Sequence, residues 1–173
     1  MKTVIFDFDG TLVDTSVTQP LREQSQKQWD KIYALIPQCR MYDGITELMT
    51  FLKDNNIKTG VATFAQRELA QRTLKYFNLS IDEIVGYELF LKKKPNPDSI
   101  LKVLKKLNAE ATETIGVGDK AIDIQAYKSA NLSVTVGCTW GLSSDEEIQE
   151  LKNSCPDYIV NHPSEIIDIL CDC

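Results

Sequence analysis

Apolar runs rich in β-branched residues recur along the chain, and segments with helical periodicity separate most of them. Four of these runs predict buried strands, over residues 3–8, 58–63, 114–117 and 133–136. Two weaker runs predict edge strands at 84–85 and 158–160. Apolar residues spaced three and four apart predict helices over 45–55, 65–77, 97–107, 120–130, 145–152 and 164–170. The sequence therefore predicts an α/β fold with a parallel sheet that is covered by helices.

One segment, residues 15–42, interrupts the alternation of predicted strands and helices. It is polar apart from a stretch that predicts a single amphipathic helix over 21–36, with Trp29, Ile32 and Tyr33 among its apolar residues. About 28 residues are too few for an independent domain. We expect the helix either to pack on the core or to form a small lid.

Composition and charge narrow the class of protein. The 173 residues fit one domain over 1–173, and 43% hydrophobic residues can form a core. A net charge of -6 argues against nucleic acid as a partner, since nucleic-acid binding depends on clustered Lys and Arg. The sequence has no long apolar stretch and no leader pattern, which predicts a cytoplasmic protein without a membrane partner.

The first candidate for chemistry is the pair Asp7 and Asp9, at the end of the first predicted strand and before Gly10. Side chains alternate along a strand, so both carboxylates are expected on one face. Such a pair is costly unless a cation neutralises it or one acid holds a proton. This predicts a metal-dependent site, although Asp9 and Gly10 could also form only a polar turn.

Three later segments place polar residues at the ends of strands or beside the start of a helix. Thr63 ends an apolar strand, where a hydroxyl can bind phosphate or cap a helix. Lys94 precedes Pro-Asn-Pro in what could be an ordinary loop, and its charge could bridge a carboxylate and a phosphate. Asp119 and Asp123, one helical turn apart, could face one cavity or be a cap and a surface acid.

The order of these segments resembles the haloacid dehalogenase (HAD) superfamily. Its opening pattern DxDGT(L/V)xD is matched by residues 7–14, Lys-Pro-x-Pro by 94–97 and GDxxxD by 118–123. Thr-Trp-Gly at 139–141 resembles a segment of phosphoglycolate-phosphatase-like members. The resemblance implies a three-layer Rossmann-like fold with helices on both faces of the sheet. The helical cap of this subgroup would be missing or reduced to the insert at 15–42.

The resemblance also implies roles for the candidate residues. Asp7 would be the nucleophile that forms an aspartyl-phosphate, and Asp9 would be the general acid and then the general base. Thr63 and Lys94 would bind phosphoryl oxygens, helped by backbone N–H groups around Gly10. The cofactor would be Mg²⁺, whose ligands would be Asp7, the main-chain carbonyl of Asp9, Asp119 and Asp123.

These features predict a Mg²⁺-dependent phosphatase that hydrolyses a small phosphorylated metabolite. An open site would also admit a macromolecular substrate such as a phosphoprotein. The alternative from another class is a non-catalytic module that binds phosphate or metal. The sequence leaves the substrate and any homo-oligomer open.

Overall fold

The computed structural model describes residues 1–172, and its centre is a six-stranded parallel sheet. The strands follow the order β5-β4-β1-β6-β7-β8, and a separate antiparallel pair joins β2 to β3. The bounds are β1 Thr3–Phe6, β2 Val13–Asp14, β3 Arg40–Met41, β4 Lys58–Ala62, β5 Glu83–Val85, β6 Thr114–Gly118, β7 Val134–Cys138 and β8 Tyr158–Val160. The predicted parallel sheet is confirmed, including both edge strands.

Eight α-helices connect and cover these strands. Their bounds are α1 Gln19–Arg22, α2 Trp29–Ala34, α3 Ile45–Asp54, α4 Arg67–Tyr76, α5 Asp98–Leu107, α6 Ala121–Ser129, α7 Asp145–Asn153 and α8 Ser164–Asp172. Asn56 and Asn78, just after α3 and α4, adopt positive φ angles of 55° and 57°. Asparagine tolerates this left-handed conformation, which terminates a helix.

Successive residues of β1 point into two different cores. Val4 and Phe6 pack in a cluster with residues of α3, α4 and α8, whereas Ile5 packs in a second cluster with residues of α5, α6 and α7. Because strand side chains alternate, one central strand supports helices on both faces of the sheet. The three-layer Rossmann-like arrangement is therefore confirmed.

The insert at 15–42 differs from its prediction. The single helix expected over 21–36 is replaced by the short helices α1 and α2, separated by residues 23–28. Residues 23–28 are exposed and contain no apolar side chain, so no hydrophobic face continues through them. Farther along, Ile32 and Ile36 pack on Leu69 of α4.

Candidate active site

The candidate residues meet at the carboxyl ends of the central strands. Asp7 follows β1, Thr63 follows β4 and Asp119 follows β6. Strand β1 has β4 on one side and β6 on the other, so the direction of the strand order reverses there. Open α/β sheets bind ligands in the crevice that forms at such a reversal.

Lys94 lies at the centre of the buried charges. Its Nζ donates to Asp7 Oδ1 at 2.8 Å and to Asp123 Oδ1 at 2.7 Å, and its side chain is 1% exposed. Oxygen atoms of Asp7, Asp119 and Asp123 lie within 4.8 Å of one another. The structure therefore brings together three carboxylates and one ammonium group, which we call the carboxylate cluster.

Burial and the charges of the cluster shift the pKa values of its own members. Burial raises the pKa of Asp7 to about 8; Lys94 opposes the rise, and Asp123 and Asp119 add to it. Burial, together with the charge of Asp123, raises the pKa of Asp119 to about 6. Burial by itself would lower the pKa of Lys94, but attraction to Asp123 and Asp7 raises it above the ordinary lysine value. An additional cation would relieve the repulsion among the three carboxylates.

Local hydrogen bonds hold two of these carboxylates in place. Thr11 Oγ1 donates to Asp119 Oδ1 at 3.1 Å, and the backbone N–H of Lys120 donates to Asp123 Oδ2 at 3.0 Å. A Cβ at Gly118 would lie 2.5 Å from the Cβ of Asp123, so this close approach requires glycine. Asp123 is thus a buried first-turn residue of α6 and not a surface acid.

The turn after β1 depends on Gly10. Its φ is 84°, and a Cβ there would lie 2.4 Å from Asp119 Oδ2. Its N–H donates to the Val13 carbonyl at 3.1 Å. Across residues 1–172, no protein acceptor is bonded to the N–H of Asp9 or Thr11, and no protein donor is bonded to the Asp9 carbonyl. Asp9 is partly exposed, so its N–H and its carbonyl can bind a ligand, whereas Thr11 is fully buried.

The carboxylates of Asp7 and Asp9 bind different side-chain cations. Strand β1 ends at Phe6 instead of continuing to residue 8, so strict alternation does not extend to Asp9. Arg22 Nη1 and Nη2 each donate to a different oxygen of Asp9 at 2.9 Å. The Thr15 hydroxyl also donates to Asp9. Lys94 and Arg22 thus neutralise the two acids separately, because the turn directs the Asp9 carboxylate towards α1 of the insert.

Sequence reasoning missed Arg22. Burial by itself would lower the pKa of Arg22, but its hydrogen bonds and attraction to Asp9, with a smaller effect of Asp7, raise that pKa. The only signal in the sequence was a basic residue inside a polar insert near a predicted active site. No motif spacing marked it.

Thr63 is buried, and its hydroxyl oxygen accepts a hydrogen bond from the N–H of Ala65 at 3.0 Å. Helix α4 begins only at Arg67, with Gln66 as its N-cap. The alternative that Thr63 caps this helix was therefore wrong. The exposed Phe64 ring beside it lies 5.9 Å from Lys94 Nζ.

Trp140 stabilises the turn after β1 through a hydrogen bond from its side chain. Its indole Nε1 donates to the Thr11 carbonyl at 2.9 Å. A Cβ at Gly141 would lie 2.0 Å from the Gly10 carbonyl oxygen, so the 139–141 segment and the turn are in close contact. The hydrogen bond from Trp140 and the close approach at Gly141 explain why these two residues are adjacent in the sequence.

The donor set of the cluster suits Mg²⁺. It consists of carboxylate oxygens, and Asp7, Asp119 and Asp123 are buried and close enough to contact one ion. The Asp9 carbonyl adds an oxygen that is not used within the described chain. Hard cations prefer such oxygen ligands.

A cavity on another part of the molecule lies away from this cluster. It measures about 480 Å³ and is lined by residues at the beginning of β4 and β5, including Lys58, Thr59 and Asp82. None of the four residues of the carboxylate cluster lines this cavity. The cluster itself is buried, whereas its neighbours Asp9 and Arg22 are partly exposed.

The fold and this cluster define an α/β protein with an acidic ligand site at the carboxyl edge of its sheet. The family model for haloacid dehalogenase-like hydrolases matches residues 18–136. The chain belongs to this family, as its motifs predicted.

Individual relatives extend the comparison. The chain is 35% identical over 136 residues to a protein of Caldanaerobacter subterraneus, and the match covers 78% of the chain and 60% of that protein. It is 25% identical over 213 positions to the phosphoglycolate phosphatase of Aquifex aeolicus, covering 98% of the chain and 97% of the relative. The crystal structure of a predicted phosphatase from Clostridium acetobutylicum superposes with a TM-score of 0.78 at 25% identity, covering 99% of both chains.

The chain thus spans about three fifths of the length of the first of these relatives. Among the helices within residues 1–172, none is both long and apolar enough to cross a membrane.

Proposed function

We propose that this chain is a Mg²⁺-dependent phosphatase that hydrolyses a phosphomonoester through an aspartyl-phosphate. The observation that carries the proposal is the contact of Lys94 with Asp7, beside Asp119 and Asp123. It places a candidate nucleophile next to a fixed positive charge and next to oxygen ligands for a metal. Phosphoryl transfer requires both kinds of charge stabilisation.

In this proposal, an oxygen of Asp7 attacks phosphorus, and the bond from phosphorus to the ester oxygen breaks. Asp9 gives a proton to the departing oxygen and then takes one from the water that hydrolyses the aspartyl-phosphate. Asp9 lies two residues from Asp7 on a turn that is fixed by Gly10 and Trp140.

The transferred phosphoryl group would be bound from several sides. Lys94 would shift part of its attraction from Asp7 to a phosphoryl oxygen. Thr63 and the backbone around Gly10 would add neutral donors, and the N–H group of Asp9 is available for this within residues 1–172. Preorganised donors of this kind lower the barrier most where charge develops.

Asp7, the Asp9 carbonyl, Asp119 and Asp123 would hold Mg²⁺. The ion would supply charge that neutralises the acids and the phosphate. Asp123 also accepts hydrogen bonds from Lys94 and the Lys120 N–H, so it could bind the ion directly or through water.

We further propose that residues 1–173 form a single hydrolase domain in which residues 15–42 are a reduced cap. The alignment with the Aquifex aeolicus relative spans 213 positions, more than the 173 residues of this chain, so the relative has residues that this chain lacks. The substrate would be a small phosphorylated metabolite, because the names of relatives include phosphoglycolate phosphatase and pyrophosphatase. A cytoplasmic location remains part of this proposal.

The test measures phosphate release from a panel of small phosphomonoesters, with Mg²⁺ and with a chelator. Wild type is compared with Asp7→Asn and with Asp54→Asn, a control at the exposed end of α3. We expect Asp7→Asn to lose at least about a thousandfold in turnover, because it removes the nucleophile. Asp54→Asn should match wild type.

Trapping the intermediate tests the mechanism separately. Acid-quenched wild type should carry phosphate on Asp7, located by peptide mass spectrometry after borohydride reduction. Full turnover in Asp7→Asn, or full turnover with the chelator, would overturn the proposal. Phosphate release that is absent for small esters but present for phosphopeptides would point to a macromolecular substrate.

A further inference from the structure

Arg22 is the cation of the insert that contacts the site, and its contact is with Asp9 and not with the carboxylate cluster. The two terminal nitrogens of the guanidinium bind the two oxygens of Asp9 in parallel, each at 2.9 Å. The side chains of Arg22 and Asp9 are 22% and 26% exposed. The ion pair is therefore accessible to a ligand.

In this arrangement both oxygens of Asp9 are engaged. Oδ2 accepts from Arg22, and Oδ1 accepts from Arg22 and from the Thr15 hydroxyl. A carboxylate held in this way faces the insert. To act on a leaving group, Asp9 would have to give up at least one of these hydrogen bonds.

The guanidinium group binds carboxylate and phosphate with the same two-pronged geometry. An anionic group on a substrate can therefore replace Asp9 without changing the kind of contact that Arg22 makes. Phosphate held at the carboxylate cluster would place the rest of the substrate beside Asp9 and Arg22.

The structure allows Arg22 to make this exchange. Helix α1 contains no fully buried residue, but its Leu21 packs at the edge of the cluster of Ile32, Ile36 and Leu69, so the exchange would be a rotation of the Arg22 side chain and not a movement of the helix. The other end of the insert is anchored, since Ile32 and Ile36 pack on Leu69 and the Tyr33 hydroxyl donates to Gln66 at 2.8 Å. A fixed anchor and an unburied arm suit a residue that changes partners.

We infer that Arg22 is a specificity-determining residue, which exchanges Asp9 for a second anionic group of a phosphorylated substrate and so frees Asp9 to face the leaving oxygen. This inference rests on the proposed function. It assigns substrate selection to the insert, and it defines the preferred substrate class as phosphate compounds with a carboxylate or a second phosphate nearby.

A binding experiment tests the exchange without relying on turnover. Isothermal titration with Mg²⁺ present compares phosphonoacetate, which carries a carboxylate, with methylphosphonate, which does not. Neither compound can lose its phosphonate by ester hydrolysis. Wild type should bind phosphonoacetate at least about tenfold more tightly, because a hydrogen-bonded charge pair is worth about one decade or more.

Arg22→Gln should abolish that preference and leave methylphosphonate affinity within about twofold of wild type. Arg22→Lys keeps the charge but lacks the two-pronged guanidinium group, so it should retain part of the preference for phosphonoacetate. Lys2→Gln is the control, because Lys2 pairs with Glu113 just before the beginning of β1 and β6, at the opposite edge of the sheet. Retained methylphosphonate binding shows that a variant is folded at the phosphate site.

Kinetics give a second readout. With phosphoglycolate, Arg22→Gln should raise KM and lower kcat/KM at least about tenfold, whereas with ethyl phosphate kcat/KM should not fall, because Asp9 no longer needs a second anion to release it. Equal losses for both ligands or both substrates, or equal wild-type affinity for both phosphonates, would overturn the inference. The proposed function fails on a different result, namely full turnover in Asp7→Asn.

Discussion

The two ion pairs that flank Asp7 and Asp9 are built differently, although their acids are two residues apart. Lys94 is enclosed, with 1% of its side chain exposed, and it bridges a carboxylate after β1 and a carboxylate in the first turn of α6. Arg22 is accessible and contacts Asp9 from a helix without buried residues. The enclosed pair suits fixed charge stabilisation, and the accessible pair suits exchange with a ligand.

This difference follows from the surrounding structure. The carboxylate cluster is built on turns after β1 and β6 and on the first turn of α6, which are tied to the sheet. The insert rests on α4 through a small apolar cluster of its own. A rigid reaction centre and a separately anchored insert allow specificity to vary without disturbing the chemistry.

Among the variants that test this comparison, Lys94→Gln should have the largest effect on stability. It leaves buried carboxylates without their cation, so we expect the free energy of unfolding in the metal-free protein to fall by about 3–5 kcal/mol. Arg22→Gln, which breaks a partly exposed pair, should cost at most about 1 kcal/mol. Urea unfolding with chelator present measures both values, and equal losses would contradict the distinction.

Ile32→Ala tests the anchor of the insert. Ile32 is fully buried against Ile36 and Leu69, so truncation should lower the free energy of unfolding by about 2–4 kcal/mol. Mg²⁺ affinity should remain within about twofold of wild type, because the cluster lies on other elements. Lys31→Ala, at the exposed neighbour, is the control. A parallel loss of metal binding would show that the two regions are coupled.

The pH dependence of Mg²⁺ affinity tests the charges of the cluster. The raised pKa values of Asp7 and Asp119 mean that both hold protons more readily than ordinary carboxyls in the metal-free protein. Protons compete with the metal, so Mg²⁺ should bind about tenfold more weakly at pH 6 than at pH 8. Calorimetric titration at both pH values measures this change. Equal affinity, or unchanged binding in Asp119→Asn, would contradict the assigned ligands.

Tyr33→Phe should have the smallest effect. It removes the hydrogen bond to Gln66 but leaves the stacking of the ring on Trp29 and the contact with Arg72. The free energy of unfolding should fall by about 0.5–1 kcal/mol. Thermal unfolding against wild type measures it, and a loss comparable to that of Ile32→Ala would show that the hydroxyl is the main anchor.

Periodicity predicted the six strands of the main sheet and the six longer helices, because burial on a sheet imposes a regular apolar pattern. The prediction of one helix over 21–36 was wrong, because it combined apolar residues that lie on both sides of the exposed residues 23–28. Asp7, Lys94, Asp119 and Asp123 were selected from sequence, and the structure brings them together. Their catalytic roles remain predictions.

The sequence by itself determined the family, the parallel sheet and the residue types that meet at its carboxyl edge. These follow from short-range patterns, namely alternation, helical spacing and motifs of a few residues. Only the tertiary structure decided which cation each acid binds. Lys94 reaches Asp7 across 87 positions of sequence, and Arg22 reaches Asp9 because the strand ends early and turns that carboxylate towards the insert. Pairing between distant side chains depends on how the chain packs, and no local pattern records it.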